Sequence, residues 1–130
     1  MVYPVVWQND HVSLIDQNRL PGMHARVEIR RCEDMAVAIK TMIVRGAPAI
    51  GVAAAYGIYL GAREAKTDDR TQFLTHLEQV GDLLKATRPT AVNLFWAIDR
   101  MLKTARQTVG NVDYLRQVLL ETAHQIKSED

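Results

Sequence analysis

Two short segments hold the residues best suited to grip a ligand. In Arg45-Gly46-Ala47-Pro48-Ala49-Ile50-Gly51, an arginine and a glycine stand just ahead of a proline that can open an α-helix. In Thr87-Arg88-Pro89-Thr90 the same order recurs, with hydroxyl groups on either side and a helix start at Pro89 or Thr90. The first N–H groups of a helix have no internal partners and carry partial positive charge. An arginine beside them makes a site for phosphate or carboxylate. Gly46 and Ala47 are small, so an anion can come close to the backbone. If the two helix starts face one space, Arg45 and Arg88 can clamp one anion. Taken singly, each segment is more often an ordinary helix start whose arginine pairs with a nearby carboxylate; only the two together bring the readings level.

Other chemistry is hard to build from this chain. No nucleophilic triad is visible and no residue is a convincing general base, so no catalytic residue is assigned. His11, His24, His76 and His124 have no mutual metal-ligand spacing and read as surface or half-buried residues, so no metal site is expected. Cys32 is the sole cysteine, which excludes an intrachain disulfide and suits a reducing compartment. Its place at a helix start could lower its pKa, but packing is the simpler role. Arg45-Gly46-Ala47-Pro48 lacks the lysine and second glycine of a P-loop. Met35, Met42 and Trp96 read as core.

The elements that must position these segments follow from periodicity. Val5-Val6-Trp7, His11 to Asp16 and Arg26 to Arg30 read as strands, with turns at Gln8-Asn9-Asp10 and Leu20-Pro21-Gly22. After Cys32 the period becomes helical. Met35, Ala36, Ile39, Met42 and Ile43 form one stripe, ending near Val44 with Gly46 as a left-handed cap. Ala49 to Ala62 is apolar on nearly every face, which predicts a central helix; Ala53, Gly57 and Gly61, spaced by four, would let another backbone approach. Phe73, Leu77, Val80 and Leu84 mark a third helix. Leu94, Phe95, Ile98, Met101, Leu102 and Ala105 mark a fourth. Leu115, Val118, Leu119, Thr122 and Ile126 mark a fifth, with Asp113 as its cap and a frayed polar tail from Lys127. The fold class is α+β: a small antiparallel β-meander over residues 1–31, then a bundle of about five helices over 32–130, forming a single domain.

Bulk properties fit this reading. At 130 residues one domain is the default. Sixteen basic residues against fifteen acidic ones leave no field that would gather nucleic acid or an anionic membrane. The uncharged stretch from Gly46 to Ala62 is interrupted by glycines and a proline and reads as a buried helix rather than a membrane span. No secretory signal opens the chain, so the cytoplasm is the expected location.

The run Thr41-Met42-Ile43-Val44-Arg45-Gly46-Ala47-Pro48-Ala49-Ile50-Gly51-Val52-Ala53-Ala54-Ala55-Tyr56-Gly57 resembles a segment of the methylthioribose-1-phosphate isomerases, as do Arg88-Pro89-Thr90-Ala91-Val92-Asn93-Leu94-Phe95-Trp96-Ala97 and Leu14-Ile15-Asp16-Gln17-Asn18-Arg19-Leu20-Pro21. The first run is also similar to related sugar-phosphate isomerases and, more loosely, to regulatory subunits of the exchange factor for eukaryotic initiation factor two. The resemblance implies the amino-terminal domain of an aldose–ketose isomerase of methionine salvage, interconverting 5-methylthioribose 1-phosphate and 5-methylthioribulose 1-phosphate. It implies substrate contacts at Arg45, Gly46, Ala47 and Arg88, a homodimer, and no metal or nucleotide cofactor. It also implies that a Rossmann-like carboxy-terminal domain, holding the catalytic cysteine and acid/base aspartate, is absent from these 130 residues, so that the chain alone is inactive. Cys32 does not match the catalytic cysteine's motif. The alternatives are a non-catalytic regulatory or scaffold module related to the initiation-factor subunits, and a related ribose-phosphate isomerase.

Overall fold

The computed structural model describes residues 4–16, 25–44 and 46–129. Strands β1 (Val5–Gln8), β2 (His11–Ile15) and β3 (Arg26–Ile29) form an antiparallel sheet in sequence order. The expected meander is therefore present. The predicted turn at Leu20-Pro21-Gly22 lies outside the described residues. Val5 pairs with Leu14 and Val12 with Ile29, which aligns four apolar residues across the sheet. Asn9 turns the first hairpin with a φ of 61°, a conformation asparagine tolerates better than most residues. β2 is buried along its whole length, although its sequence alternates only in part. Being the middle strand, it is covered at both edges. His11 is buried with it, deeper than the surface or half-buried place expected, and its Nδ1 lies 2.8 Å from the Asp10 carboxylate.

Five helices follow: α1 (Cys32–Lys40), α2 (Ala47–Glu64), α3 (Arg70–Lys85), α4 (Val92–Gln107) and α5 (Val112–Ser128). α2 is the axis of the fold. From Ile50 to Leu60 only Tyr59 keeps appreciable exposure, because α1, α3, α4 and α5 all pack around it. The buried stripes Phe73-Leu77-Val80-Leu84 of α3 and Leu94-Ile98-Met101-Ala105 of α4 face it as their spacing predicts. The sheet joins this bundle through Trp7, which stacks on buried Tyr56 at 5.8 Å between ring centroids and meets Tyr59 edge-on.

Several boundaries differ from the sequence reading. α1 stops at Lys40, and its left-handed residue is Met42, with a φ of 65°. The Ile43 N–H donates to Ala38 O at 2.9 Å and the Met42 N–H to Ile39 O at 3.2 Å, so the helix closes in a Schellman motif without glycine. Met42 and Ile43 therefore leave the α1 stripe, and Met42 is exposed. Gly46 opens α2 instead of capping α1. α5 is capped by Asn111, whose side chain accepts from the Tyr114 N–H at 2.8 Å, rather than by Asp113. Its end is not frayed: the Arg100 guanidinium grips both carboxylate oxygens of Glu129 at 2.7 and 2.8 Å. No helix is long and apolar enough to cross a membrane among the described residues.

Candidate functional site

The starts of α2 and α4 lie against each other. Gly51 makes this contact possible: a Cβ there would stand 3.3 Å from the backbone carbonyl of Asn93 and 3.8 Å from Ala97 Cβ. The close backbone approach thus sits at Gly51, not along the Ala53-Gly57-Gly61 row. Gly57 and Gly61 instead admit the side chains of Met35, Leu84 and Val80. Beside the crossing is a groove of about 410 Å³, lined by Pro48, Gly51 and Val52 of α2, Val92, Asn93 and Trp96 of α4, and Ile126 and Glu129 at the end of α5.

Neither helix start is closed by a side chain among the described residues, and neither first turn contains an acidic residue. α1 and α5 differ. Glu64 accepts from the Cys32 N–H at 2.8 Å, with Glu33 and Asp34 in the first turn of α1. Asn111 caps α5, with Asp113 in its first turn. At α2 the backbone arrives through Gly46 with a φ of 93°, and Gly46 O accepts from the Ile50 N–H at 3.0 Å. A Cβ on Gly46 would meet nothing within 4 Å, so glycine is required there by conformation and not by space. Gly46, Ala47 and Pro48 are exposed. Arg45 lies outside the described residues.

Arg88 occupies the connection from α3 to α4. The expected helix start at Pro89 or Thr90 is corrected by two residues or so. Arg88 O accepts from the Ala91 N–H at 3.0 Å, so Pro89 and Thr90 form the middle of a turn and α4 opens at Val92. Proline suits the second position of such a turn, which competes with its role inside a helix start. Thr87 is committed elsewhere, its hydroxyl donating to Leu84 O at 2.6 Å. Arg88 is half-buried, and its Nη1 is buried with no hydrogen-bond partner among the described residues. It does not line the groove. The structure thus brings Gly46, Ala47 and the start of α4 to one end of the bundle, with Arg88 in the turn leading into it.

Trp96 was expected in the core and is 53% exposed, with the Arg100 guanidinium 5.4 Å from its ring centroid. The signal was available: the inward stripe Leu94, Ala97, Ile98 and Met101 puts Val92, Trp96 and Arg100 on another face. Cys32 is buried. Burial and the neighbouring Glu64 carboxylate push its thiol up to about 12, which outweighs the helix start. His76 bonds Gly61 O at 2.9 Å, and His124 Nδ1 lies 2.7 Å from the Tyr56 hydroxyl. His24 lies outside the described residues.

A sequence profile of the Initiation factor 2 subunit family matches residues 43–130. The chain belongs to this family. Among its relatives, it is 68% identical over 129 residues to a methylthioribose-1-phosphate isomerase of Acaryochloris marina, covering 99% of this chain and 36% of that protein. It is 66% identical over 130 residues to one of Trichormus variabilis, covering 100% and 38%. Among solved structures, a 5-methylthioribose 1-phosphate isomerase from Pyrococcus horikoshii matches with a TM-score of 0.93 at 38% identity, covering all of this chain and 37% of that one. The translation initiation factor eIF-2B delta subunit from A. fulgidus matches with a TM-score of 0.92 at 40% identity, covering 100% and 38%. Both solved relatives share the sheet-plus-five-helix arrangement over the part that this chain matches, and the chain spans little more than a third of the length of these relatives.

Proposed function

We propose that these 130 residues are the amino-terminal, phosphate-gripping domain of a methylthioribose-1-phosphate isomerase. In this reading residues 1–31 and 32–130 form one unit that binds the sugar-phosphate substrate through Arg45, Gly46, Ala47 and Arg88. The proton transfer between the first two sugar carbons needs an acid/base pair, supplied by a Rossmann-like carboxy-terminal domain. The intact protein is a cytoplasmic homodimer, and the chain alone does not turn substrate over. The observation that carries the reading is the pair of uncapped helix starts, which point unsatisfied donors at one end of the bundle in a chain so similar to proteins of that name. Fixing the phosphate would position the sugar and so contribute to the rate as well as to affinity.

A ligand that binds only the folded state raises apparent stability. The test is a thermal shift of this chain with inorganic phosphate and with 5-methylthioribose 1-phosphate, beside an Arg45→Ala variant. The expected result is a rise in the parent that the variant loses. No rise at millimolar ligand overturns a preformed anion site in this chain. The likeness to the delta subunit favours one other reading, a non-catalytic scaffold. Stable co-purification with translation factors, without any phosphate-dependent shift, would select it.

A further inference from the structure

We propose that the groove between α1 and α3 is a self-association surface, on which α1 of a second copy of this chain packs antiparallel against α1 of the first. None of the residues lining it is among those assigned to the anion site.

α1 is short, and one apolar residue stands outside its inward stripe. Met35, Ala36, Ala38 and Ile39 are buried, whereas Val37 is 56% exposed. Leu83 of α3 is likewise 41% exposed. The two side chains border a groove of about 310 Å³, whose lining also includes Ala36 and, at the end of α3, Ala86. A single exposed valine or leucine is ordinary, but two on the rim of one groove make a surface that a partner can cover.

Charge selects the partner. Glu33, Val37 and Lys40 follow one another at i, i+4 and i+7, so they share one face of α1, and all three are exposed. Glu33 stands in the acidic first turn and Lys40 in the basic last turn, with Val37 close to midway. At the helical rise the two charges are about 10 Å apart along the axis. A partner helix crossing antiparallel about Val37 needs a cation opposite Glu33 and an anion opposite Lys40. α1 of a second copy supplies both at the same spacing, and twofold symmetry forms the pair twice. Parallel packing would set like charge on like. The antiparallel crossing also aligns the two helix dipoles favourably and brings Val37 of each copy towards Leu83 of the other. Neighbouring charges do not compete strongly: Lys85 of α3 is held by Asp99 at 2.7 Å, and Glu33 has an exposed contact of 3.4 Å with Arg31. With a net charge of +1, the chain does not repel its own copies.

The test is sedimentation equilibrium of this chain from about 10 µM to about 1 mM, the range in which small interfaces dissociate. The same runs are made on Val37→Asp, Lys40→Glu, Glu33→Lys and the variant carrying both charge reversals. All three positions are exposed, so the substitutions leave the core intact, and thermal midpoints verify it. The parent should pass from monomer to dimer over this range. Val37→Asp should abolish the dimer. Each single reversal sets two like-charged pairs against each other and should weaken association about tenfold or more. The double reversal should restore it, and an equimolar mixture of the two single variants should associate more tightly than either alone. Each reversal opposes the dipole of α1, so the doubly reversed chain has the least favourable helix, and its recovery cannot come from better folding. A parent that stays monomeric overturns the self-association surface and leaves both the anion site and the proposed homodimer of the intact protein standing. A dimer that Val37→Asp and Lys40→Glu leave unchanged forms through another face and overturns it as well.

Discussion

The two ends of the central helix pair are built on opposite principles. At their C-terminal ends, α2 and α4 are closed by arginines from other elements. Arg116 donates from Nε to Ala62 O at 3.0 Å and from Nη2 to Ala65 O at 2.7 Å. Arg70 donates to Ala105 O and Arg106 O at 3.3 and 3.0 Å, and to Gly110 O at 3.4 Å. Each cation also favours the negative end of a helix dipole. At the N-terminal ends no side chain among the described residues closes either helix, and the arginine in the turn before α4 keeps a buried nitrogen that none of them partners. The C-terminal ends of α2 and α4 are thus satisfied within the chain. Where it leaves donors open, an external anion can complete them.

The largest effect should follow from opening the closed end. Arg116 also lies over the Phe73 ring at 5.4 Å and bonds Asp113 at 2.7 Å. Hydrogen bonds to charged groups are each worth about 1.5–3 kcal/mol. Arg116→Ala should therefore cost about 3 kcal/mol, measured by urea unfolding. A loss below about 1 kcal/mol would mean that water replaces the guanidinium without cost, and the contrast between the ends would fail.

A smaller effect belongs to Cys32, which Glu64, the last residue of α2, caps. The thiol's pKa is raised from its ordinary 9.0 to about 12 by burial and by that carboxylate. Unfolded chains ionise this group above pH 9.0 and the folded chain does not, so its contribution to stability is present below pH 9.0 and is lost as pH rises towards about 12. Thermal midpoints should therefore fall over that window in the parent more than in Cys32→Ala. The native thiol should also resist iodoacetamide at pH 8 until the chain unfolds. Rapid alkylation of the native protein would show that this end opens.

Much of the fold was legible because it rests on periodicity. Four helical stripes and three short strands follow from where Val, Leu and Ile recur, and the all-round apolar character of 49–62 marks the axis. Boundaries were harder to read because backbone geometry competes with residue type. Met42 takes the left-handed position that glycine usually fills, which freed Gly46 to start the next helix. Pro89 could open a helix or sit second in a turn, and the Arg88–Ala91 hydrogen bond selects the turn. At the site, the residue types were legible and their juxtaposition was not. Nothing in the one-dimensional pattern says that Gly51 meets the Asn93 backbone, which is what brings the two starts together.

The smallest stability effect is the sharpest test of the comparison. If Arg88 is kept for a ligand, its buried nitrogen is a cost to the empty fold, because an unsatisfied charged donor loses its water without gaining a partner. Arg88→Met keeps an unbranched, flexible stem to pack and removes the donor. The midpoint of urea unfolding should then correspond to no loss, or to a gain of up to about 1 kcal/mol, while phosphate protection disappears. Arg116→Ala should do the reverse, lowering stability and leaving phosphate protection of the remaining folded protein in place. A loss for Arg88→Met comparable to that for Arg116→Ala would make Arg88 one more internal strut, and the open end of the bundle would then be no different in kind from the closed one.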